Sequence, residues 1–271
     1  MKRALAVAVL FWSSSPSRAL AQEASGLPLS GEAAETFLKT ANVVHKKGLS
    51  VGITHSDQYT LTDGTRTCRA VWKTIDEFKR GATSFEGGGM IVDFSDSWKH
   101  EVAAYELDKL LGLGLVPPTV ERSFAHTRGS LQMWVEGAMT EADRKQRKLP
   151  PPDPPAWNEQ MYRVRLLHQL TYNTDYRNIR NVLIDGSFRV YAIDSSRAFQ
   201  VYADIFAAKE LLRFPRAALE AMRTLDKPTL HEKLGRWLSG PEIETLLKRR
   251  DKIVALAQLR VEEQGEAAVL F

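Results

Sequence analysis

The 271 residues, 44% apolar and 26% charged, are enough for one large domain or a two-lobed one with a real core. The formal net charge of +4 nearly vanishes if residues 1–21 are removed, because Lys2, Arg3 and Arg18 go and no acid does, leaving 34 of the 37 Lys and Arg against 33 Asp and Glu. That balance offers no basic stripe for nucleic acid, and the single cysteine, Cys68, excludes an internal disulfide.

At the N-terminus, Lys2-Arg3, an apolar run from Ala4 to Trp12 and the small-residue site Ala19-Leu20-Ala21 read as a secretory signal cleaved before Gln22. About nine apolar residues are too few to cross a bilayer, where about 20 are needed. The mature chain is therefore expected to be periplasmic or secreted, with no transmembrane span; an uncleaved N-terminal anchor is the other reading.

From about 50 to 136 the pattern is strand-rich with one helix. Gly52-Ile53-Thr54-His55-Ser56 has the composition of a turn that covers a phosphate. Tyr59 to Thr62 and Thr65 to Lys73 flank Asp63-Gly64, the signal for a two-residue hairpin turn. In the second strand Val71 and Lys73 share one face and Cys68, Ala70 and Trp72 the other. Ser97 to Gly112 opens on a capping residue, closes on glycine and carries apolar residues at 103, 107, 110 and 111, which predicts a helix. Val116-Pro117-Pro118 then enforces an extended exit, and Leu131 to Gly137 reads as an apolar strand ending in an acid and a glycine.

The stretch Arg147 to Pro155, with five prolines, reads as a stiff extended connector. A helix from Glu159 to about Tyr172 follows. Asn181 to Ile184 and Phe188 to Ile193 flank Asp185-Gly186, a second tight hairpin, which places Asp175 just before the strand pair and Asp194 just after it. The basic run Lys248 to Lys252 reads as a solvated helix face. The six histidines have no metal-ligand spacing, and no Gly-x-Ser-x-Gly elbow supports a serine hydrolase.

Taken singly, each polar residue has an ordinary reading: an exposed strand lysine, a helix-supporting glutamate, turn-forming Asp and Asn. Their order is more telling. A lysine on a strand, a glutamate on the next helix, an acid in a loop, an asparagine after it and an acid beyond a hairpin form the inventory for phosphoryl transfer, which needs phosphates held, charge neutralised and an acid near the attacking hydroxyl. In this order the residues resemble the atypical branch of the protein-kinase-like superfamily. The likeness is to the secretory-pathway kinases of the Golgi casein kinase (four-jointed-like) type and to phosphatidylinositol 3- and 4-kinase catalytic domains. It covers roughly residues 50 to 200, and its most specific part is His100 to Gly112 followed by Val116-Pro117-Pro118.

The resemblance implies an α+β, two-lobed fold: a small strand-rich lobe over 22–137 with a hinge near 134–137, a connector over 138–157 and a larger helical lobe over 158–271. It implies ATP with Mg²⁺ or Mn²⁺ as cofactors and a hydroxyl of a protein, sugar or lipid as phosphate acceptor. Gly52 and Thr54 would cover the phosphates, and Lys73, with Val71 beside it, would grip them. Glu101 would pair with Lys73 or help bind metal, and Trp134, Val135 and Glu136 would form the adenine hinge. Asp175 would be the base or substrate-orienting acid, with Asn181 and Asp194 as metal ligands. The metal-binding asparagine of an ordinary catalytic loop stands five residues after the acid, whereas Asn178 and Asn181 stand at three and six, so one extra residue must be absorbed as a bulge. That irregularity keeps a second reading open, a catalytically inactive pseudokinase serving as a nucleotide- or protein-binding module.

Overall fold

Alternation along two strands builds the first core: Tyr59 and Leu61 of β2 (Ser56–Thr62) and Cys68, Ala70 and Trp72 of β3 (Thr67–Lys73) turn inward. The structure, a computed structural model, describes residues 25–49, 56–85 and 89–271. The strands join β1 (Asn42–Leu49), β6 (Thr119–Phe124) and β7 (Thr127–Met133) in an antiparallel sheet of order β1-β2-β3-β7-β6. Helix α1 (Gly31–Thr40) lies on this sheet against β6 and β7, and its Ala34, Phe37 and Leu38 share one core with Tyr59, Trp72, Leu131 and Met133. Neither α1 nor β1 was legible beforehand. Apart from half-buried Val43 and Leu49, β1 is exposed along its length and lies at the sheet edge, so it carries no inward-outward pattern to read.

The hairpin turn is longer than the expected two residues. Thr62 pairs with Thr67, so Asp63 to Arg66 make the connection, and Asp63 Oδ1 accepts from the Thr65 and Arg66 amides at 2.8 and 2.7 Å. The aspartate side chain does the work assigned to a positive-φ pair. A separate hairpin, β4 (Asp76–Phe85) with β5 (Gly89–Ser97), was also not anticipated. It leaves Phe78, Met90 and Val92 exposed.

Helix α2 (Trp98–Leu111) forms where expected. The Ser97 side chain accepts from the Lys99 amide, and Gly112, at φ 62°, ends it in the left-handed conformation that glycine adopts without cost. Its residues Ala103, Ala104, Leu107 and Leu111 belong to a second core, shared with the helices that follow.

Beyond β7 the expected connector is partly structured. It contains β8 (Met139–Thr140), α3 (Glu141–Gln146), closed by a Thr140–Asp143 capping box, and the first turn of α4 (Pro154–Thr171). Pro154 and Pro155 start the helix rather than delay it, because the first turn leaves its amides unpaired and proline has none to lose; Asp153 caps the Ala156 amide. The second hairpin, β9 (Val182–Ile184) and β10 (Val190–Ala192), pairs Ile184 with Val190. Its connection therefore spans 185–189, ordered by Asp185 Oδ1 accepting from the amides of Ser187 and Arg189. These two strands form a small sheet with β8.

Helices α5 (Arg216–Thr224), α6 (Lys227–Leu234), α7 (Gly240–Gln264) and α8 (Glu266–Val269) complete the second core around Phe199, Phe214, Leu219, Met222, Leu246 and Ile253. The basic run on α7 is not wholly solvated. Arg249 is fully buried, its Nε donating to the Leu170 carbonyl at 2.7 Å and one Nη to the carbonyls of Gln200 and Tyr202. Burial pulls its pKa down to about 9. No helix among the described residues is long and apolar enough to cross a membrane.

Candidate active site

Lys73 closes β3 on the face opposite Trp72, so its stem leaves the sheet core and its ammonium is carried toward α2. Nζ lies 2.5 Å from Glu101 Oε1 and 2.6 Å from Asp194 Oδ1. The lysine and glutamate side chains are 12% and 2% exposed, so this is a desolvated pair rather than a surface contact. Burial alone would favour neutral Lys73, yet the two carboxylates outweigh it and the net shift is upward. Burial pushes Glu101 up, with Lys73 offsetting part of it, while the Lys73 charge holds Asp194 below the ordinary carboxylate range.

Both oxygens of Glu101 are engaged. Oε2 accepts from the Ser195 amide at 3.0 Å, so the glutamate holds both the strand lysine and the backbone just past Asp194. Asp194 itself sits at φ 60°, a left-handed conformation uncommon for a residue with a side chain.

The second cluster lies in the loop after α4. Asp175 Oδ2 accepts from Asn178 Nδ2 at 3.1 Å and from Asn181 Nδ2 at 2.9 Å, while the Asp175 amide donates to Asn173 Oδ1 at 2.9 Å. The extra loop residue is absorbed by a turn in which the Asn178 amide donates to the Asp175 carbonyl, followed by a single 3₁₀ turn over Ile179–Asn181. The Ile193 amide donates to the Asn181 carbonyl at 2.9 Å. Residues 193–195 thereby tie the two clusters together, and Lys73, Glu101, the Asp175–Asn181 loop and Asp194 come from four parts of the chain.

The residues expected to form the hinge follow β7. Trp134 donates its amide to the Arg69 carbonyl at 2.9 Å, and the Arg69 guanidinium lies over its ring at 5.2 Å. Val135 is buried. The amide and carbonyl of Glu136 both pair with Gly26 at 2.8 Å, and its carboxylate takes a two-bonded contact from Arg69. Val71 is half-buried on the Lys73 face, between Gln58 and Gln132. Gly52 and Thr54 lie outside the described residues.

Two groups at this site escaped sequence reasoning. Asp96 of β5 is 3% exposed and accepts from Arg197 Nε at 2.9 Å, and Arg197 stands three residues after Asp194. The signal was present in Ser195-Ser196-Arg197, but without knowledge of β5 the arginine had no partner. His100, next to Glu101, faces the other way. Its ring nitrogens lie 2.8 Å from the Ser196 carbonyl and 2.9 Å from Glu242 Oε1, beside a cavity of about 500 Å³ lined by Asp76, Phe199 and Trp237 that contains none of the Lys73 group.

The donor set suits a hard divalent cation. No group of three or more His, Cys, Asp or Glu among the described residues is placed to hold a metal alone. Asp194 and the Asn181 side-chain carbonyl supply oxygen donors of the kind Mg²⁺ takes one or two at a time, with phosphate and water completing the set. Among the described residues, Asp194 shares the Lys73 ammonium with Glu101, which leaves its second oxygen for a cation.

No protein-family model matches the sequence, and no curated protein matches it. Solved structures do. The Golgi casein kinase is similar with a TM-score of 0.61 at 16% identity over 88% of this chain and 78% of that one, and its Mn/ADP-bound form gives 0.60. Hydra Fam20, solved with sugar, gives 0.62 at 13% identity over 87% and 90%. The Helicobacter pylori proinflammatory kinase CtkA gives 0.50 at 12% identity over 83% and 97%. A strand-rich body carrying the lysine, a helical body carrying the two acids and these likenesses lead to one conclusion: the chain has a two-lobed, kinase-like α+β fold.

Proposed function

We propose that the protein is an exported phosphotransferase that moves the γ-phosphoryl group of ATP to a hydroxyl of a protein, sugar or lipid acceptor. The observation that carries this reading is the Lys73 ammonium, held between Glu101 at 2.5 Å and Asp194 at 2.6 Å beside the Asp175–Asn181 loop. Lys73 binds the α and β phosphates, with Val71 and the segment 134–136 lining the nucleotide. Asp175 accepts the proton of the attacking hydroxyl, its carboxylate aimed by Asn178 and Asn181. Asp194 and Asn181 hold Mg²⁺ or Mn²⁺, which neutralises phosphate charge when bound. The Mn/ADP-bound Golgi casein kinase supports that choice of cofactors.

Thermal unfolding of the purified protein with ATP and Mg²⁺ or Mn²⁺, beside Lys73→Ala and Asp194→Ala, tests the reading. Ligand at about 100 times its dissociation constant adds roughly 2.7 kcal/mol. A metal-dependent shift lost in both variants is the expected result; no shift in the folded wild-type protein would remove the nucleotide site. The six-residue spacing from Asp175 to Asn181 favours a second reading, a pseudokinase binding module, whose mark is nucleotide binding without turnover.

A further inference from the structure

The contact between Asp96 and Arg197 is unusual for a buried pair. Arginine and carboxylate ordinarily meet fork to fork, with two parallel bonds that satisfy both oxygens. Here only Nε donates, to Oδ2 at 2.9 Å. Asp96 Oδ1 is buried and has no hydrogen-bond partner among the described residues. No bond from either terminal nitrogen of Arg197 is found among the described residues, although the side chain is only 23% exposed. The guanidinium lies instead over the Phe94 ring, 5.7 Å from its centre, which leaves both terminal nitrogens open to another acceptor.

The backbone explains where the unused fork is held. The Arg197 carbonyl accepts from the Thr174 amide at 3.3 Å, next to Asp175. On the other side the Ser97 amide donates to the Ser196 carbonyl at 2.9 Å, and Gln200 makes two bonds to the Ser95 backbone, at 3.0 and 2.7 Å. The segment after Asp194 is thus zipped along β5 and stitched to the Asp175 loop. The Arg197 pKa is raised, against its burial, by the bonded Asp96 and by the charges of Asp175 and Asp194. With Lys73 assigned to the α and β phosphates, a second side-chain cation is placed to serve the γ-phosphoryl oxygens between Asp175 and Asp194.

We propose that Arg197 is a phosphate-binding residue for the group in transfer, its terminal nitrogens donating to the γ-phosphoryl oxygens, and that Asp96 is a positioning residue that holds Nε. The inference rests on the phosphotransferase reading. In the step it serves, the acceptor oxygen forms a bond to the γ-phosphorus as the bond to the β–γ bridging oxygen breaks. The hydroxyl proton goes to Asp175, and ADP leaves with the electron pair on its β-phosphate. The arginine stabilises the oxygens whose charge shifts during that exchange, where one well-placed donor is worth about 10²–10³ in rate.

The test compares wild type with Arg197→Met, Arg197→Lys and Asp96→Asn by calorimetric titration of ATP and ADP with Mg²⁺, and by ADP formation from ATP. Arg197→Met is expected to keep ADP affinity within about twofold, to lose any preference for ATP over ADP, and to turn over about 10²–10³-fold more slowly. Arg197→Lys keeps the charge without the fork, so a loss remains even if the methionine variant folds poorly. Asp96→Asn, acting only through the arginine, is expected to lower kcat about tenfold with KM for ATP little changed. Free guanidinium is expected to restore part of the Arg197→Met turnover, which it would not do for a packing defect. Turnover of Arg197→Met within about threefold of wild type, or equal losses of ATP and ADP affinity, would overturn the assignment. A wild-type protein that binds neither nucleotide would instead remove the phosphotransferase reading and this one with it.

Discussion

Asn181 donates to Asp175 at 2.9 Å although six residues separate them, and Asn178, three residues on, donates to the same oxygen. The loop closes on its own acid, so the carboxylate is aimed before any substrate arrives. Asp175→Asn is therefore expected to keep nucleotide binding and to cut transfer by about 10²–10⁴. Asn181→Ala is expected to leave Asp175 held by Asn178 while weakening ATP binding at low Mg²⁺. Turnover and titration at two metal concentrations separate the effects.

Lys73→Met would leave Glu101 and Asp194 facing each other without a cation. At pH 7 the expected loss is about 3–5 kcal/mol, the cost of leaving a buried charge uncompensated. In the wild type the depressed pKa of Asp194 means that its contribution is present above the unfolded value of 3.8 and lost as pH falls through the lower folded value. In the variant the folded-state pKa values rise above the unfolded ones, so stability should increase as pH drops from 7 toward 5. Urea unfolding at the two pH values checks the sign.

His168, on the buried side of α4, has its pKa pulled down to about 4 by burial. Between pH 6.5 and 4 the unfolded chain binds a proton that the folded chain refuses, so this group costs stability as pH falls, about 3 kcal/mol at most. Asp108, raised to about 6 by burial, acts in the opposite sense between pH 6 and 3.8. His168→Leu is expected to shift the slope of stability against pH by up to one proton in the acid window, leaving the Asp108 gain exposed.

A methyl group on Gly129 would lie 2.3 Å from the Lys73 carbonyl and 2.7 Å from the Trp72 ring. Ser130, its neighbour, pairs with Lys73 across the sheet. Gly129→Ala is expected to cost about 1–3 kcal/mol by overpacking and to weaken ATP binding by displacing the lysine's strand. Melting temperature and nucleotide affinity should fall together.

Elements with a strong local code were legible. Ser97 and Gly112 mark the ends of α2 and apolar residues recur at 103, 107, 110 and 111, so the helix and the place of Glu101 on it could be read from sequence. Lys73 was legible because β3 alternates cleanly. What failed was local geometry decided by side chains. Asp63 and Asp185 bond several backbone groups each and so hold connections of four and five residues where Asp-Gly suggested two. Arg249 read as a surface charge because the carbonyls it satisfies, at 170, 200 and 202, lie far away in sequence. Asp96 and Arg197 were missed for the same reason, being 101 positions apart.

Helix α2 shares its core with α5 to α8, whereas β3 is rooted in the sheet core. Yet α2 also lies against β6 and β7 and is tied to α1, where Tyr105 Oη and Lys109 Nζ both donate to Glu35 Oε1, at 3.1 and 2.7 Å. Glu101 therefore stands on a strut shared by the sheet and the helices. Loosening that strut from either core would be felt at the lysine, so the ion pair reports on the seating of α2 in both.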